Sequence, residues 1–107
     1  MKQLTIVGNL GKAPQTRTIA NGKEIMSFSV AVNSKNGTDW FGVVSNDLPK
    51  IREFLTPGRQ VLVQGRPDFK VYNNVPDITI YADHIELLGK GSDYDGPDPS
   101  EYQDHQE

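Results

Sequence analysis

A chain of 107 residues has room for one domain with a modest core, and its hydrophobic content of 36% is low for a globular protein. It contains no cysteine, which excludes disulfides, thiolate metal sites and cysteine nucleophiles. The N-terminus has no signal-peptide core, and no apolar run is long enough to span a bilayer, so a soluble, cytoplasmic protein is expected.

The net charge of -3 averages two unlike parts. Residues 1–90 hold all 11 Lys and Arg against 8 Asp and Glu, whereas residues 91–107 hold 6 acids, no aliphatic residue and no Lys or Arg. The composition predicts a domain over 1–90, carrying +3, and a disordered acidic tail over 91–107, carrying -6. A mildly basic domain is compatible with a polyanionic partner without requiring one.

Leu4 to Gly8 is a short β-rich segment, ended by Asn9-Leu10-Gly11 and Pro14. The chain resumes with Thr16-Arg17-Thr18-Ile19, and Asn21-Gly22 follows, a pair suited to the positive φ angles of a type I′ turn. The next strand has the clearest alternation, with Met26, Phe28, Val30 and Val32 on one face and Ser27, Ser29, Ala31 and Asn33 on the other. A second turn, Ser34-Lys35-Asn36-Gly37, leads into Thr38 to Val44, the stretch that holds the only tryptophan. Alternation turns Phe41 and Val43 inward and Trp40, Gly42 and Val44 outward, with Gly42 expected to clear space beside the indole.

After Val44 the period changes. Ser45, Asn46 or Asp47 can cap a helix, Pro49 suits its first turn, and Leu48, Ile51 and Leu55 share one face. Thr56-Pro57-Gly58 stops it, which predicts a helix of about two or three turns that plugs the core. Gln60 to Tyr72 reads as a long strand bent at Gly65, with pairing interrupted at Pro67. Asn73 to Pro76 is a loop, and the last strand begins at Asp77 with Ile78, Ile80 and Ala82 inward. Five strands, with one short helix between the third and fourth, describe the small barrel of the OB-fold.

On the distal half of the fourth strand Arg66, Asp68, Lys70 and Tyr72 share parity. If the third and fourth strands line one groove, Trp40 and Tyr72 offer flat surfaces interleaved with the cations of Arg66 and Lys70. Unpaired bases expose π-faces, and stacking one on an aromatic contributes roughly 1 to 3 kcal/mol, so this composition suits single-stranded nucleic acid. An exposed aromatic can equally pair across the sheet or fill a subunit interface, and a strand lysine can be an edge guard.

Further residues carry a resemblance. Ile6-Val7-Gly8-Asn9-Leu10-Gly11-Lys12, Asn21-Gly22-Lys23 leading to Phe28-Ser29-Val30-Ala31, Thr38-Asp39-Trp40 with Val43-Val44, Gly58 to Gly65, and Ala82-Asp83-His84-Ile85 form an ordered set. From Leu4 to about Leu88 the chain resembles the bacterial and phage single-stranded DNA-binding proteins. The resemblance implies an OB-fold, a homotetramer built from dimers, sequence-independent binding of single-stranded DNA in replication, recombination or repair, nucleoid association and no cofactor. It places Trp40 and Tyr72 on stacking positions and Arg66, Lys70 and Arg17 along the DNA path; Lys35 and Lys12 complete the candidate set. Replication or repair proteins are possible partners.

The chain also departs from the family. The hairpin from Asn33 to Asp39 is short and lacks an aromatic that many members carry, no phenylalanine stands near Ser45 and Asn46, and Phe41 replaces a frequent histidine. Fewer platforms imply weaker binding or a shorter site. The family's acidic tip ends in Pro-Phe, whereas this sequence ends in Gln103-Asp104-His105-Gln106-Glu107, so either it is truncated or recruitment by that route is lost. An OB-fold adaptor of the primosomal replication type, with secondary nucleic-acid binding, is the alternative. For an enzyme there is only His84 and Glu86 on one strand face, a pattern expected of solvated neighbours, and no metal-ligand spacing or phosphate loop.

Overall fold

Alternating apolar residues build six strands in this computed structural model, which describes residues 1–89; the expected acidic tail lies outside the described residues. In chain order they are β1 (Leu4–Leu10), β2 (Gln15–Thr18), β3 (Glu24–Ser34), β4 (Gly37–Asn46), the helix α1 (Pro49–Arg52), β5 (Gln60–Tyr72) and β6 (Val75–Leu88). The strand order is β1-β5-β6-β4-β3-β2, and pairing of β1 with β3 closes the barrel. Only the β4–β6 contact is parallel among the described pairings.

The sixth strand is a division of the expected first one. Asn9 and Leu10 lie opposite Ala31 and Val30, and Gln15 to Thr18 lie opposite Ser27 to Glu24, so β1 and β2 run along the same neighbour. Residues 11–14 make an excursion between them, where Pro14 could not have donated to the ladder. The barrel is therefore five-stranded, as the OB-fold requires, with its first strand split.

Met26, Val30, Val61, Val63 and Ile80 are fully enclosed at 0% exposure, and they come from β3, β5 and β6. Each such side chain stabilises the fold by roughly 1.5 to 3 kcal/mol relative to exposure. The helix is shorter than expected. Ser45 and Asn46 belong to β4, the N-cap is Leu48 without a side-chain cap, and only Pro49–Arg52 is helical. Beyond it the Phe54 and Leu55 N–H groups donate to the carbonyls of Ile51 and Arg52, tight turns that carry the chain toward Pro57. Pro57 disfavours continuation at the residue before it. The plug nevertheless forms, because Leu55 is 1% exposed and Leu48 and Ile51 pack against the core.

Two turns differ from their sequence reading. At Asn21-Gly22 only Gly22 has a positive φ, of 77°, and its N–H donates to the Ile19 carbonyl at 2.8 Å. This is a three-residue loop with a glycine bulge rather than a type I′ turn. The type I′ chemistry occurs instead at Asn73 and Asn74, with φ of 51° and 66°, so Tyr72 pairs directly with Val75 and β6 starts earlier than expected. Pro67 does not interrupt pairing; it lies opposite Ile80, beyond the last β1–β5 pair at Leu4 and Gly65, where β5 has a neighbour on one side only.

Gly65 sits at the bend. The register shifts between Gln64 and Gly65, which face His84 and Ala82, leaving Asp83 as the extra residue of a bulge. A Cβ on Gly65 would collide with the Tyr81 carbonyl oxygen and lie 2.7 Å from Ala82 Cα. Both obstacles are backbone. Gly65→Ala is therefore expected to lower the stability by about 2 kcal/mol or more, read as a lower denaturation midpoint in urea with an unchanged slope.

Candidate nucleic-acid interface

The strand registers place the candidate side chains in rows across one outer face. Val44 lies opposite Tyr81, and Tyr81 opposite Arg66; Gly42 lies opposite Thr79, and Thr79 opposite Asp68. Trp40, on the same parity of β4, and Lys70, opposite Asp77, fall beyond these rows, and Tyr72 stands at the end of the β5–β6 hairpin. The third and fourth barrel strands, β4 and β5, do not touch as neighbours. β6 stands between them and makes their outer faces continuous.

Trp40 and Tyr72 are each 57% exposed. The indole rests over the excursion after β1, since a Cβ on Gly11 would come within 2.8 Å of Trp40 Cζ3. Gly42 does not clear the space as expected: a Cβ there would meet Thr79 Oγ1 at 3.6 Å, an ordinary contact. Thus Gly11 holds the room for the ring. β3 contributes Ser27, Ser29 and Ala31 beside Val44, Gly42 and Trp40, small side chains that keep the face low around the indole.

The cations are disposed along this face. Lys70 Nζ lies 3.5 Å from Asp68 Oδ2. The electrostatic influence of Tyr72, first, and then of the Asp68 carboxylate raises the Lys70 pKa above its ordinary value of 10.5. A raised folded pKa keeps its stabilising effect below the ordinary value and loses it as pH climbs through the raised one, so Lys70 is cationic throughout the neutral range. The Arg66 guanidinium carbon lies 4.9 Å from the Tyr81 ring centroid.

Trp40, Arg66, Lys70 and Tyr72 are thus brought onto one face. Arg17 is exposed on β2, opposite Ile25, and so lies at the far edge of that face. Lys12 is exposed beside Gly11, and Lys35 in the turn between β3 and β4, so neither lies on a strand. Tyr81 was not among the sequence candidates. The alternation that turns Ile78 and Ile80 inward also turns Tyr81 outward, but its relevance depends on β6 lying between β4 and β5, which no local pattern states. His84 and Glu86 are exposed with Nε2 and Oε1 3.4 Å apart.

A closed five-stranded barrel whose outer face carries exposed aromatics and cations defines an OB-fold protein of the ligand-binding kind. The chain belongs to the single-strand binding protein family, whose profile matches residues 1–88. It is 28% identical over 117 residues to a single-stranded DNA-binding protein of Neisseria meningitidis, covering 94% of this chain and 67% of that one. With the protein of the same description from Rickettsia typhi it shares 26% identity over 100 residues, or 81% and 66% of the two chains. The chain thus spans about two thirds of the length of these relatives.

Among solved structures, the small single-stranded DNA-binding protein of Streptomyces coelicolor superposes with a TM-score of 0.68 at 27% identity, over 80% of this chain and 91% of that chain. The mitochondrial single-stranded DNA-binding protein of S. cerevisiae shares the fold with a TM-score of 0.70 at 23% identity, over 85% and 97% of the two chains. A Plasmodium falciparum relative, solved with single-stranded DNA, shares it with a TM-score of 0.62 at 22% identity, over 82% and 95%.

Gly11→Ala tests the seat of the indole. The group that must yield is the end of an exposed side chain rather than backbone, so the expected cost is within about 1 kcal/mol. Trp40 should move, which is read as a shifted emission maximum and a lower fluorescence anisotropy at an almost unchanged unfolding midpoint.

Proposed function

We propose that this protein binds single-stranded DNA without sequence selectivity and shields it during replication, recombination or repair. The observation that carries this reading is the exposed Trp40 on a continuous face with Arg66, Lys70 and Tyr72, in a chain of the single-strand binding protein family. Bases stack on Trp40 and Tyr72, each stack contributing roughly 1 to 3 kcal/mol. Arg66 and Lys70 pair with phosphates, and Arg17, Lys35 and Lys12 extend the basic track. A duplex hides its base faces, so the stacking platforms select single strands, while the cations add a salt-sensitive term that is blind to sequence. No bond is made or broken in this work; the protein acts as a binder in the nucleoid.

The assembly proposed is a homotetramer built from dimers. It is supported by family membership and by β1, whose residues Leu4 to Gly8 pair with β5 while their other edge has no strand partner among the described residues. Static light scattering is expected to give four times the chain mass; twice that mass would leave a dimer.

Titration with oligo-dT, followed by intrinsic fluorescence, tests the function directly because the chain holds one tryptophan. Strong quenching by the single strand, little by an equal duplex, and weaker binding as salt rises are expected. If three cations each meet a phosphate, log K falls with log salt at a slope of about -2 per subunit. Trp40→Ala and Tyr72→Ala should each weaken binding by roughly 5- to 150-fold. Full affinity in Trp40→Ala would favour the adaptor reading instead.

A further inference from the structure

We propose that Asp68 and Asp77 are specificity-determining residues: by balancing Arg66 and Lys70 at the centre of the outer face, they withhold the phosphate attraction on which a duplex would depend. The inference rests on the single-strand binding reading above.

Along β5 the outer parity carries Arg66, Asp68 and Lys70, and across the ladder Tyr81, Thr79 and Asp77 stand opposite them. Cations and carboxylates therefore alternate. Lys70 Nζ lies 3.5 Å from Asp68 Oδ2. Asp77 is exposed directly opposite Lys70, a position at which Cβ atoms are about 5 Å apart. The surroundings do not upset this balance. Beside Arg66, Lys2 and Asp83 line one depression and offset each other. Asp39 is exposed but takes the opposite parity of β4 from Trp40. Arg17, Lys12 and Lys35 stand at the rim, outside the balanced centre.

At physiological salt, charges are screened over roughly 8 Å. A phosphate paired with Lys70 lies within that distance of both the Asp68 and the Asp77 carboxylate, so each repels the group that Lys70 attracts. Exposed ion pairs contribute little to stability. The effect of the two acids therefore falls on the ligand rather than on the fold.

The repulsion does not act equally on the two forms of DNA. A duplex carries one negative charge per about 1.7 Å of its axis, twice the density of either strand alone, so it meets the carboxylates with more charge. It also hides its base faces and gains nothing from Trp40 or Tyr72. A single strand is repelled less and recovers the loss by stacking. The face thus discriminates by a repulsive element as well as by its attractive ones, and it does so without reading sequence.

The test measures binding of labelled oligo-dT and of a duplex of equal length by anisotropy over a series of salt concentrations, using the full chain. Asp68→Asn should tighten oligo-dT binding by roughly 2- to 5-fold at low salt and duplex binding by more, so that the gap between them narrows. The change should fade as salt rises, because screening removes an effect of charge but not one of shape. Asp77→Asn should act in the same direction and keeps the proposal testable if Asp68→Asn does not fold. Glu53→Gln removes one negative charge from the crossover after α1, away from this face, and should leave the gap as in the wild type. If the wild type binds and quenches but folded Asp68→Asn and Asp77→Asn leave the gap unaltered, or Glu53→Gln narrows it as far, the proposal is overturned and the proposed function stands. Absence of binding by the wild type to oligo-dT would overturn both.

Discussion

The parallel pairing of β4 with β6, Gly42 to Val44 against Thr79 to Tyr81, is the contact on which the arrangement depends. Two antiparallel hairpins, β3–β4 and β5–β6, could each form from local pairing, yet neither has a second layer on which to bury its apolar face. The short parallel seam joins them and places Val43 beside Ile80, both enclosed. Because parallel strands cannot be linked by a tight turn, a crossover is required. Residues 47–74 provide it, running through α1 and β5, and Leu55 seals the core on the way. The same seam that completes the core also sets Trp40 on one side of Thr79 and Tyr81, and Arg66 and Lys70 on the other.

A pleated strand couples these two consequences. Val43 and Ile80 turn inward because they are apolar, so Val44, Gly42, Thr79 and Tyr81 must turn outward. A slip by one residue would send the aromatics into the barrel and the aliphatics into water. The core thus guards the composition of the outer face, and the outer residues themselves are free to serve a partner.

Electrostatics on this face are moderate. Asp68 lies between Arg66 and Lys70 on β5 and forms an ion pair with Lys70 at 3.5 Å, which leaves less free positive charge than the two cations alone would offer. Exposed pairs of this kind contribute little to stability. Their value is positional, because Lys70 keeps its charge and a fixed place beside Tyr72. In the function proposed, the aromatic platforms would carry selectivity on such a surface, and the cations a salt-dependent share of the affinity.

Much of this was legible in the linear chain. Period-two alternation located the strands around Met26 to Val32, Trp40 to Val44 and Ile78 to Ala82, and parity turned Trp40 on β4 and Arg66 on β5 outward, because burial of alternate apolar residues is a local signal; beyond Asp68 that signal ends, and Phe69 and Val71 are as exposed as Lys70 and Tyr72. The helix was overread, since Leu48, Ile51 and Leu55 share a face in one irregular crossover as easily as in a regular helix. Asn-Gly likewise named a turn at Asn21 but not its type, because loop length is set by where the strands pair. Tertiary structure alone decided that β6 separates β4 from β5, that Gly11 rather than Gly42 makes room for the indole, and that Tyr81 meets Arg66. Each of those is a contact between residues distant in the chain. Local pattern states which face a side chain takes, but only closure of the barrel decides which side chains share it.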